Sequence, residues 1–536
     1  MTQRLDPTPR RAFVRGLALS ALAPLPWLGG CATPATTGTA AAPNAPARDQ
    51  HDSAREYRIA NRVSWGASDA EVQRVRDLGP EVYLQRQLRA QLGPLPPAVQ
   101  AGIAALTISR RSPQDLWHEI EAARQAGEAL PEQDSRKAAQ QAYQQALNKL
   151  ARECASRQLL RSLYAPNQLL EQMQWFWFNH FNVHQYKANI RVLLADYEEH
   201  AIRPHALGRF RDLVGAVTRH PAMLRYLDNE HNAVGRINEN HARELLELHT
   251  LGVDGGYSQG DVQELARVLT GHGVNFGDRA PHLRKELQAQ YVRAGLYEFH
   301  PQRHDPGTKT VLGRTIAPRG AAELDEVLDH VVAQPACARF VCRKIARHLL
   351  ADEPPPAVVD AMTAAWSRSG GQIAEVLGVL LRRPEFGAPG PGKFRDPMHY
   401  VISAVRACHG ERVILDTQPM QGWLNRMGEG LYNRPTPDGY PDNAASWASS
   451  GQLAARLDIA RALGSGSAGL FRYEQMQGDG SMAMRDEPAF PVLSRPLYWQ
   501  VLRPMMAANT RAALDGAASP QDWNALYLSA PEFMYL

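Results

Sequence analysis

Two glutamates on one short predicted helix are the residues of this chain best placed to do chemistry. Glu244 and Glu247 stand at positions i and i+3 and fall within an arc of about 60° that also holds Asn240. Carboxylates at this spacing can bind a metal ion or split their pKa values for acid–base catalysis. Arg243 lies beside them, so the alternative is a solvated acidic face with a local counter-charge. We predict Glu244, Glu247 and Arg243 as catalytic residues.

A histidine inside an aromatic run is the second candidate. Residues 177–181 read Trp-Phe-Asn-His-Phe, and twelve of the eighteen histidines lie between His180 and His304. Aromatic residues on a helix usually form core, so the polar Asn179 and His180 need buried partners. His180 is therefore a candidate metal ligand. The alternative is a core histidine whose hydrogen bonds are satisfied.

The third candidate is a loop in which His304-Asp305 precede a Pro-Gly turn and Lys309. Histidine beside aspartate suits metal ligation or a His–carboxylate pair, and Lys309 is one of only seven lysines in an arginine-rich chain. We predict Asp305 and Lys309 as catalytic residues and His304 as a metal ligand. A solvated turn closed by an Asx-type hydrogen bond is the alternative.

Several sharper catalytic motifs are absent from the sequence. It contains no HExxH, ExxH or GxxxxGK[ST]. Residues 256–260 match GxSxG, but no predicted strand precedes them. Ser258 followed by Asp261 is typical of a helix N-cap, so we predict a structural cap rather than a nucleophile.

The N-terminus predicts export. Arg10-Arg11 precede Ala12-Phe13 and a short apolar run, which is the arrangement of a twin-arginine-like secretory signal. Residues 28–31, Leu-Gly-Gly-Cys, resemble a bacterial lipobox, which implies that Cys31 is lipidated and anchors the chain to a membrane in the periplasm or cell envelope. An ordinary signal peptide with an incidental cysteine is the alternative.

Composition predicts a folded protein without a nucleic-acid partner. Hydrophobic residues make up 44% and the net charge is only +4, with no dense Lys/Arg tract. The cysteines after residue 31 form no CxxC or CxxCH motif, so we expect buried free thiols rather than a zinc ribbon or covalent haem.

Helical periodicity dominates the chain after the predicted signal. We predict a mainly α fold, a large multi-helix globular body with long loops and at most a small β-hairpin, formed by residues 291–299 and 309–316. The predicted organisation is a signal peptide at 1–31, a flexible Pro/Ala/Thr tether at 32–53 and the helical body at 54–536.

These motifs together resemble the bacterial domain of unknown function 1800 family. The matching segments are Trp177 to Phe181, Met223 to Asn229, Asn238 to Gly252, Gly255 to Gly271, His304 to Gly313 and Pro435 to Pro441. They follow in order over roughly residues 55 to 536. Two positions depart from the family, since Phe178 stands where histidine is common and Ser258 where threonine is usual.

The resemblance implies a secreted, mostly helical protein but supplies no reaction. Members of the family often neighbour a second secreted family similar to the alkaline-phosphatase superfamily, which is therefore a candidate protein partner. The lost histidine at Phe178 puts any two-histidine ligand scheme around His180 in doubt.

Two functions remain open from the sequence. In the first, His180, Asp228, Glu244, Glu247, His304 and Asp305 converge on one cleft of a cell-envelope enzyme. There, His180, Glu244 and His304 bind Zn, Mn or Fe. The metal activates water or polarises a carbonyl or phosphoryl oxygen, Arg243 and Lys309 hold an anionic group, and hydrolysis is favoured over oxidation. In the second, the chain is a non-catalytic lipoprotein that binds or scaffolds a partner, and the same groups form a structural network.

Overall fold

The computed structural model describes residues 50–390, 392–410, 412–471 and 490–536. The predicted export residues Arg10 and Arg11 and the predicted lipidation site Cys31 lie outside these ranges. In the described part of the chain, no helix is both long and apolar enough to span a membrane.

Seven helices come first in the described chain, and the last of them is the longest. They are α1 (Gln50–Val63), α2 (Asp69–Leu78), α3 (Pro80–Leu88), α4 (Pro97–Ala105), α5 (Thr107–Arg110), α6 (Pro113–Glu128) and α7 (Gln133–Tyr164). Helix α1 begins within the last residues of the segment predicted as a tether. Proline opens α3, α4 and α6, where its fixed φ suits the first turn and its missing N–H is not needed.

The middle third consists of shorter helices. They are α8 (Gln168–His180), α9 (Leu194–Asp196), α10 (Phe210–Arg219), α11 (Pro221–Tyr226), α12 (Asn240–Glu244) and α13 (Gln259–Val268). Wider π-helical turns follow α9 at Tyr197–Ile202 and α12 at Leu245–Thr250. Ser258 caps α13 in a reciprocal capping box with Asp261.

Two small antiparallel sheets replace the single predicted hairpin. Strands β1 (His272–Val274), β2 (Val292–Ala294) and β3 (Tyr297–Phe299) form one sheet in the order β1-β3-β2. Strands β4 (Lys309–Val311) and β5 (Arg314–Ile316) form the other. Each predicted strand contains its own turn, because Gly295 and Gly313 adopt positive φ and reverse the chain within it.

Helices α14 to α25 complete the described chain. They are α14 (Ala322–Val332), α15 (Pro335–Leu349), α16 (Pro356–Ser369), α17 (Ile373–Leu381), α18 (Pro384–Gly387), α19 (Pro397–His409), α20 (Gln418–Arg426), α21 (Ala444–Trp447), α22 (Ser450–Gly464), α23 (Arg503–Met505), α24 (Ala508–Asp515) and α25 (Pro520–Leu528).

The described residues pack into one compact unit, and the mainly α prediction is confirmed. Helix α8 lies in its interior, with Trp177 and Phe178 almost completely buried. The four cysteines at positions 154, 337, 342 and 408 are buried free thiols, as the sequence predicted.

Candidate functional site

The loop at His304 forms a buried network whose polar groups are paired. The Nε2 atom of His304 lies 3.1 Å from Oε1 of Glu323, and its Nδ1 atom lies 2.9 Å from the carbonyl oxygen of Thr270. Lys309 donates a 2.6 Å hydrogen bond to Oε2 of Glu323, and both side chains are fully buried. Burial raises the pKa of Glu323, but the hydrogen bonds that this carboxylate accepts outweigh burial and lower its pKa to about 2. This arrangement ties the loop to the first turn of α14.

Asp305 is held by an arginine rather than exposed to a substrate. The Nε and Nη2 atoms of Arg267 donate to its two carboxylate oxygens over 2.9 and 3.1 Å. These hydrogen bonds lower the pKa of Asp305 to about 2. The bidentate pair joins the loop to α13.

The two glutamates of α12 and its π-helical turn lie at a partly open surface. Glu244 and Glu247 are half-buried, and Tyr257 donates to Glu247 over 3.5 Å. Burial, then the neighbouring Glu247, raises the pKa of Glu244. Arg243 bonds to Glu239 and Gln259 instead of to either glutamate, and Asp228 pairs with Lys187 over 2.7 Å. The predicted acidic pair is thus present but is separate from the His304 network.

A polar cleft at the C-terminal end of α8 is the strongest candidate site. Its cavity of about 230 Å³ is lined by α8, α15, the residue before α19 and the segment 429–443. The polar side chains that line it are Asn179, His180, Lys344, Arg347, His348, Asp396, Glu429, Tyr440, Asp438, Asp442 and Asn443.

Asn179 anchors one wall of the cleft. Its side-chain nitrogen donates to the carbonyl oxygen of Tyr440 over 3.0 Å, and its oxygen accepts from the Tyr440 backbone N–H over 2.6 Å. Gly439 has φ of +76°, and a Cβ there would lie 2.1 Å from the carbonyl oxygen of Asn179. The close approach therefore requires glycine at this position.

Lys344 faces the cleft from the adjacent helix. Its ammonium donates to Nδ1 of His180 over 2.8 Å, and Nε2 of His180 lies 3.0 Å from the carbonyl oxygen of His249. The proton of His180 is therefore on Nε2, which leaves Nδ1 free to accept. Burial, then Lys344, lowers the pKa of His180 well below its usual value. Burial also lowers the pKa of Lys344 to about 8.

The buried imidazole of His348 lines the cleft and lies next to a second buried imidazole, that of His399. His348 and His399 are 6% and 2% exposed, their ring centroids lie 5.3 Å apart, and neither Nε2 atom has a hydrogen-bond partner among the described residues. Asp396 accepts from Nδ1 of His399 over 3.0 Å, and an oxygen of Asp442 lies 3.9 Å from Nδ1 of His348. Burial lowers the pKa of His348 to about 4, so this imidazole is neutral near pH 7.

The cleft is also lined by a buried acidic side chain that forms no ion pair among the described residues. Glu429 is 2% exposed and accepts a 2.9 Å hydrogen bond from the backbone N–H of Met398. Burial, then the nearby Asp396, raises its pKa well above the usual value. No ion pair to Glu429 occurs in the described ranges.

The residues of the cleft lie within a region that matches a known protein family. The model of the family described as protein of unknown function (DUF1800) matches residues 58–535. The chain belongs to the DUF1800 family. No curated protein and no solved structure matched it. Every side chain that lines the cleft lies within the DUF1800 match. These side chains include Asn179 and His180 of the aromatic motif and residues 438–441 of the loop 435–441.

The structure does not gather the predicted ligands of the DUF1800 chain at one point. His180 lines the cleft, His304 belongs to the buried network, and Glu244 lies at the α12 surface. In the portion of the chain that is described, no group of three or more His, Cys, Asp or Glu side chains could hold a metal ion. The residues present therefore do not fit the predicted metal.

Sequence reasoning missed most of the cleft. It selected His180 but passed over Lys344, His348, Asp396 and Glu429. Two signals were available: Lys344 is one of the seven lysines, and Arg347 and His348 follow it at i+3 and i+4, the spacing that places side chains on one face of a helix. Nothing in the local sequence indicates that Glu429 lies opposite them.

Proposed function

We propose that this DUF1800 protein is an exported, lipid-anchored hydrolase of the cell envelope whose reaction centre is the cleft around Lys344. The observation that carries the proposal is the set of partners of the Lys344 ammonium. Its ammonium donates one hydrogen bond, to a neutral histidine, and forms no ion pair in the described structure. An ammonium has three N–H donors, so two remain for a ligand or water.

The pKa of Lys344, at about 8, suits acid–base catalysis near neutral pH. In the free-amine form, Lys344 takes a proton from a water molecule as the water oxygen bonds to an acyl or phosphoryl centre. The resulting ammonium then gives that proton to the leaving group as its bond to the centre breaks.

Export and anchoring rest on the N-terminal sequence. The twin-arginine-like pair at Arg10-Arg11 and the lipobox cysteine at Cys31 support this part of the proposal. Mass spectrometry of the protein recovered from membranes tests it, with a lipid-modified N-terminal Cys31 as the expected result. An unprocessed N-terminus would contradict it.

The experiment on the reaction compares the exported chain with its Lys344→Met variant on chromogenic esters, peptides and phosphoesters. We expect one class to be hydrolysed, with kcat/KM at least about 100-fold lower in the variant. Lys137→Met, at an exposed position, is the control. Equal rates in both proteins, or no hydrolysis of any class, would overturn the proposal.

A second candidate function is ligand binding without reaction. The buried network of His304, Lys309 and Glu323 favours it, because polar groups that the sequence suggested as catalytic prove to be paired with one another. Binding of a ligand in the cleft with no turnover would support this function over hydrolysis.

A further inference from the structure

A lysine and a glutamic acid face the same cleft without ion-pair partners among the described residues. Lys344 and Glu429 both line it, yet neither forms an ion pair in the ranges that the structure describes. Burying a charge without compensation costs several kcal/mol, so such groups normally have a counter-charge or lose their charge. Here the two lie on different walls and do not pair with each other.

The other charged groups of the cleft are already engaged. Asp442 pairs with Lys393 over 2.8 Å and Asp438 with Arg434 over 2.7 Å. Asp396 pairs with Nδ1 of His399 over 3.0 Å and Arg347 with Glu353 over 3.4 Å. These pairs leave one positive and one negative position for a ligand. A ligand that carried both charges would compensate both walls at once.

We infer that the cleft binds a small zwitterion or a peptide end, with the ligand's ammonium at Glu429 and its carboxylate at Lys344. This inference goes beyond the proposed function: it concerns the same cleft, but here Lys344 holds the ligand's carboxylate as an ammonium instead of acting as the base. The cavity of about 230 Å³ is smaller than the roughly 300–1,000 Å³ of drug-sized pockets, which fits an amino acid or a dipeptide.

Binding is coupled to a proton. Burial, then Asp396 on the chain before α19 and Asp442, raises the pKa of Glu429 and favours its neutral carboxyl, while the Met398 N–H and Arg456 on α22 act the other way. A bound ammonium favours the ionised carboxylate, so Glu429 releases a proton. Lys344, which faces His180, Arg347, Asp438 and Asp442, is already mostly protonated at pH 6.5.

The test is calorimetric titration of the full exported chain with Ala-Ala, N-acetyl-Ala-Ala and Ala-Ala-amide at pH 6.5. Ala-Ala is expected to bind at least about tenfold more tightly than either singly charged analogue. Its apparent enthalpy is expected to vary with buffer ionisation enthalpy in the direction of proton release. Three equal affinities, or no binding up to about 10 mM, would overturn the inference.

Two variants assign the ends of the ligand. Glu429→Gln is expected to abolish the preference for Ala-Ala over N-acetyl-Ala-Ala and the proton release, while keeping the preference over the amide. Lys344→Met is expected to abolish the preference for Ala-Ala over Ala-Ala-amide, while keeping the preference over N-acetyl-Ala-Ala. Glu132→Gln and Lys137→Met, both at exposed positions, are the matched controls. Loss of both preferences in either single variant, with unchanged thermal melting, would contradict the assignment.

The outcomes separate the two proposals. If Ala-Ala binds with these preferences but no class of substrate is hydrolysed, the inferred zwitterion binding is supported and the proposed hydrolase function is contradicted. If hydrolysis depends on Lys344 but Ala-Ala does not bind, the proposed hydrolase function is supported and the inferred zwitterion binding is contradicted.

Discussion

Lys309 and Lys344 show how partners decide what a lysine does. Both are among seven lysines in an arginine-rich chain, and both lie against a histidine. Lys309 pairs with the buried Glu323, whereas Lys344 has one hydrogen-bond partner among the described residues, a neutral imidazole. The first side chain is therefore compensated and stabilises the loop at 304–309, and the second keeps donors free at a cleft.

Removing Lys309 should destabilise the fold. Lys309→Met leaves the carboxylate of Glu323 buried without its cation, so we expect the free energy of unfolding to fall by about 3–5 kcal/mol. Urea denaturation measures this change. The exposed Lys137→Met should change it by less than about 0.5 kcal/mol, and an equally small change in Lys309→Met would contradict the structural role.

The reactivity of Lys344 should change near neutral pH. With a pKa of about 8, its amine is mostly protonated below pH 7 and mostly free above pH 9. Acylation by a small reagent, followed residue by residue with mass spectrometry, should therefore rise through about pH 8 and level off above it. The unfolded chain is the reference, and the same midpoint in both states would contradict the lowered pKa.

At the scale of elements, the cleft depends on contact between α8 and the loop 435–441. Asn182 donates to the carbonyl oxygens of Arg434 and Thr436 over 3.0 and 2.8 Å, and Tyr226 donates to that of Pro435 over 2.8 Å. With the bonds of Asn179, these fix the loop along its length. The loop therefore positions Asp438 and Asp442 at the wall of the cleft.

Gly439 offers a test of this contact. Gly439→Ala introduces a Cβ that overlaps the carbonyl oxygen of Asn179 and also strains a positive φ. Gly428 has a similar φ of +80° but nothing within 4 Å of a built Cβ, so Gly428→Ala isolates the backbone strain. We expect Gly439→Ala to lose about 1–3 kcal/mol more by urea denaturation. Equal losses would show that the loop can move away freely.

At the scale of the whole molecule, buried neutral histidines should make the fold sensitive to acid. Burial lowers the pKa of His241 to about 3 and those of His348 and His409 to about 4. Because these values lie below the ordinary 6.5, these three positions bind about three more protons in the unfolded chain between about pH 4.5 and 6, and His180, whose pKa is also lowered, adds to them. Their contribution is complete above pH 6.5 and is lost as the pH falls.

The expected slope is at least about 4 kcal/mol per pH unit, which is large beside a total stability of about 5–15 kcal/mol. Urea denaturation between pH 7 and 4.5 measures it. His348→Gln should lower the slope by about one proton, and the exposed His118→Gln should leave it unchanged. A free energy of unfolding that stays constant over this range would contradict the prediction.

The sequence by itself determined the fold class and the membership of the DUF1800 family, because helical periodicity and the family's motifs are local patterns. It also placed His180 among the candidates, since a histidine in a buried aromatic run must have partners. Only the tertiary structure decided which polar groups pair with one another. Glu323 pairs with Lys309 from 14 residues away, and Glu429 and Lys344 line the same cleft from segments far apart in the chain. Which groups are buried together at such sequence separations depends on how the helices pack, and the spacing of residues in the sequence does not reveal it.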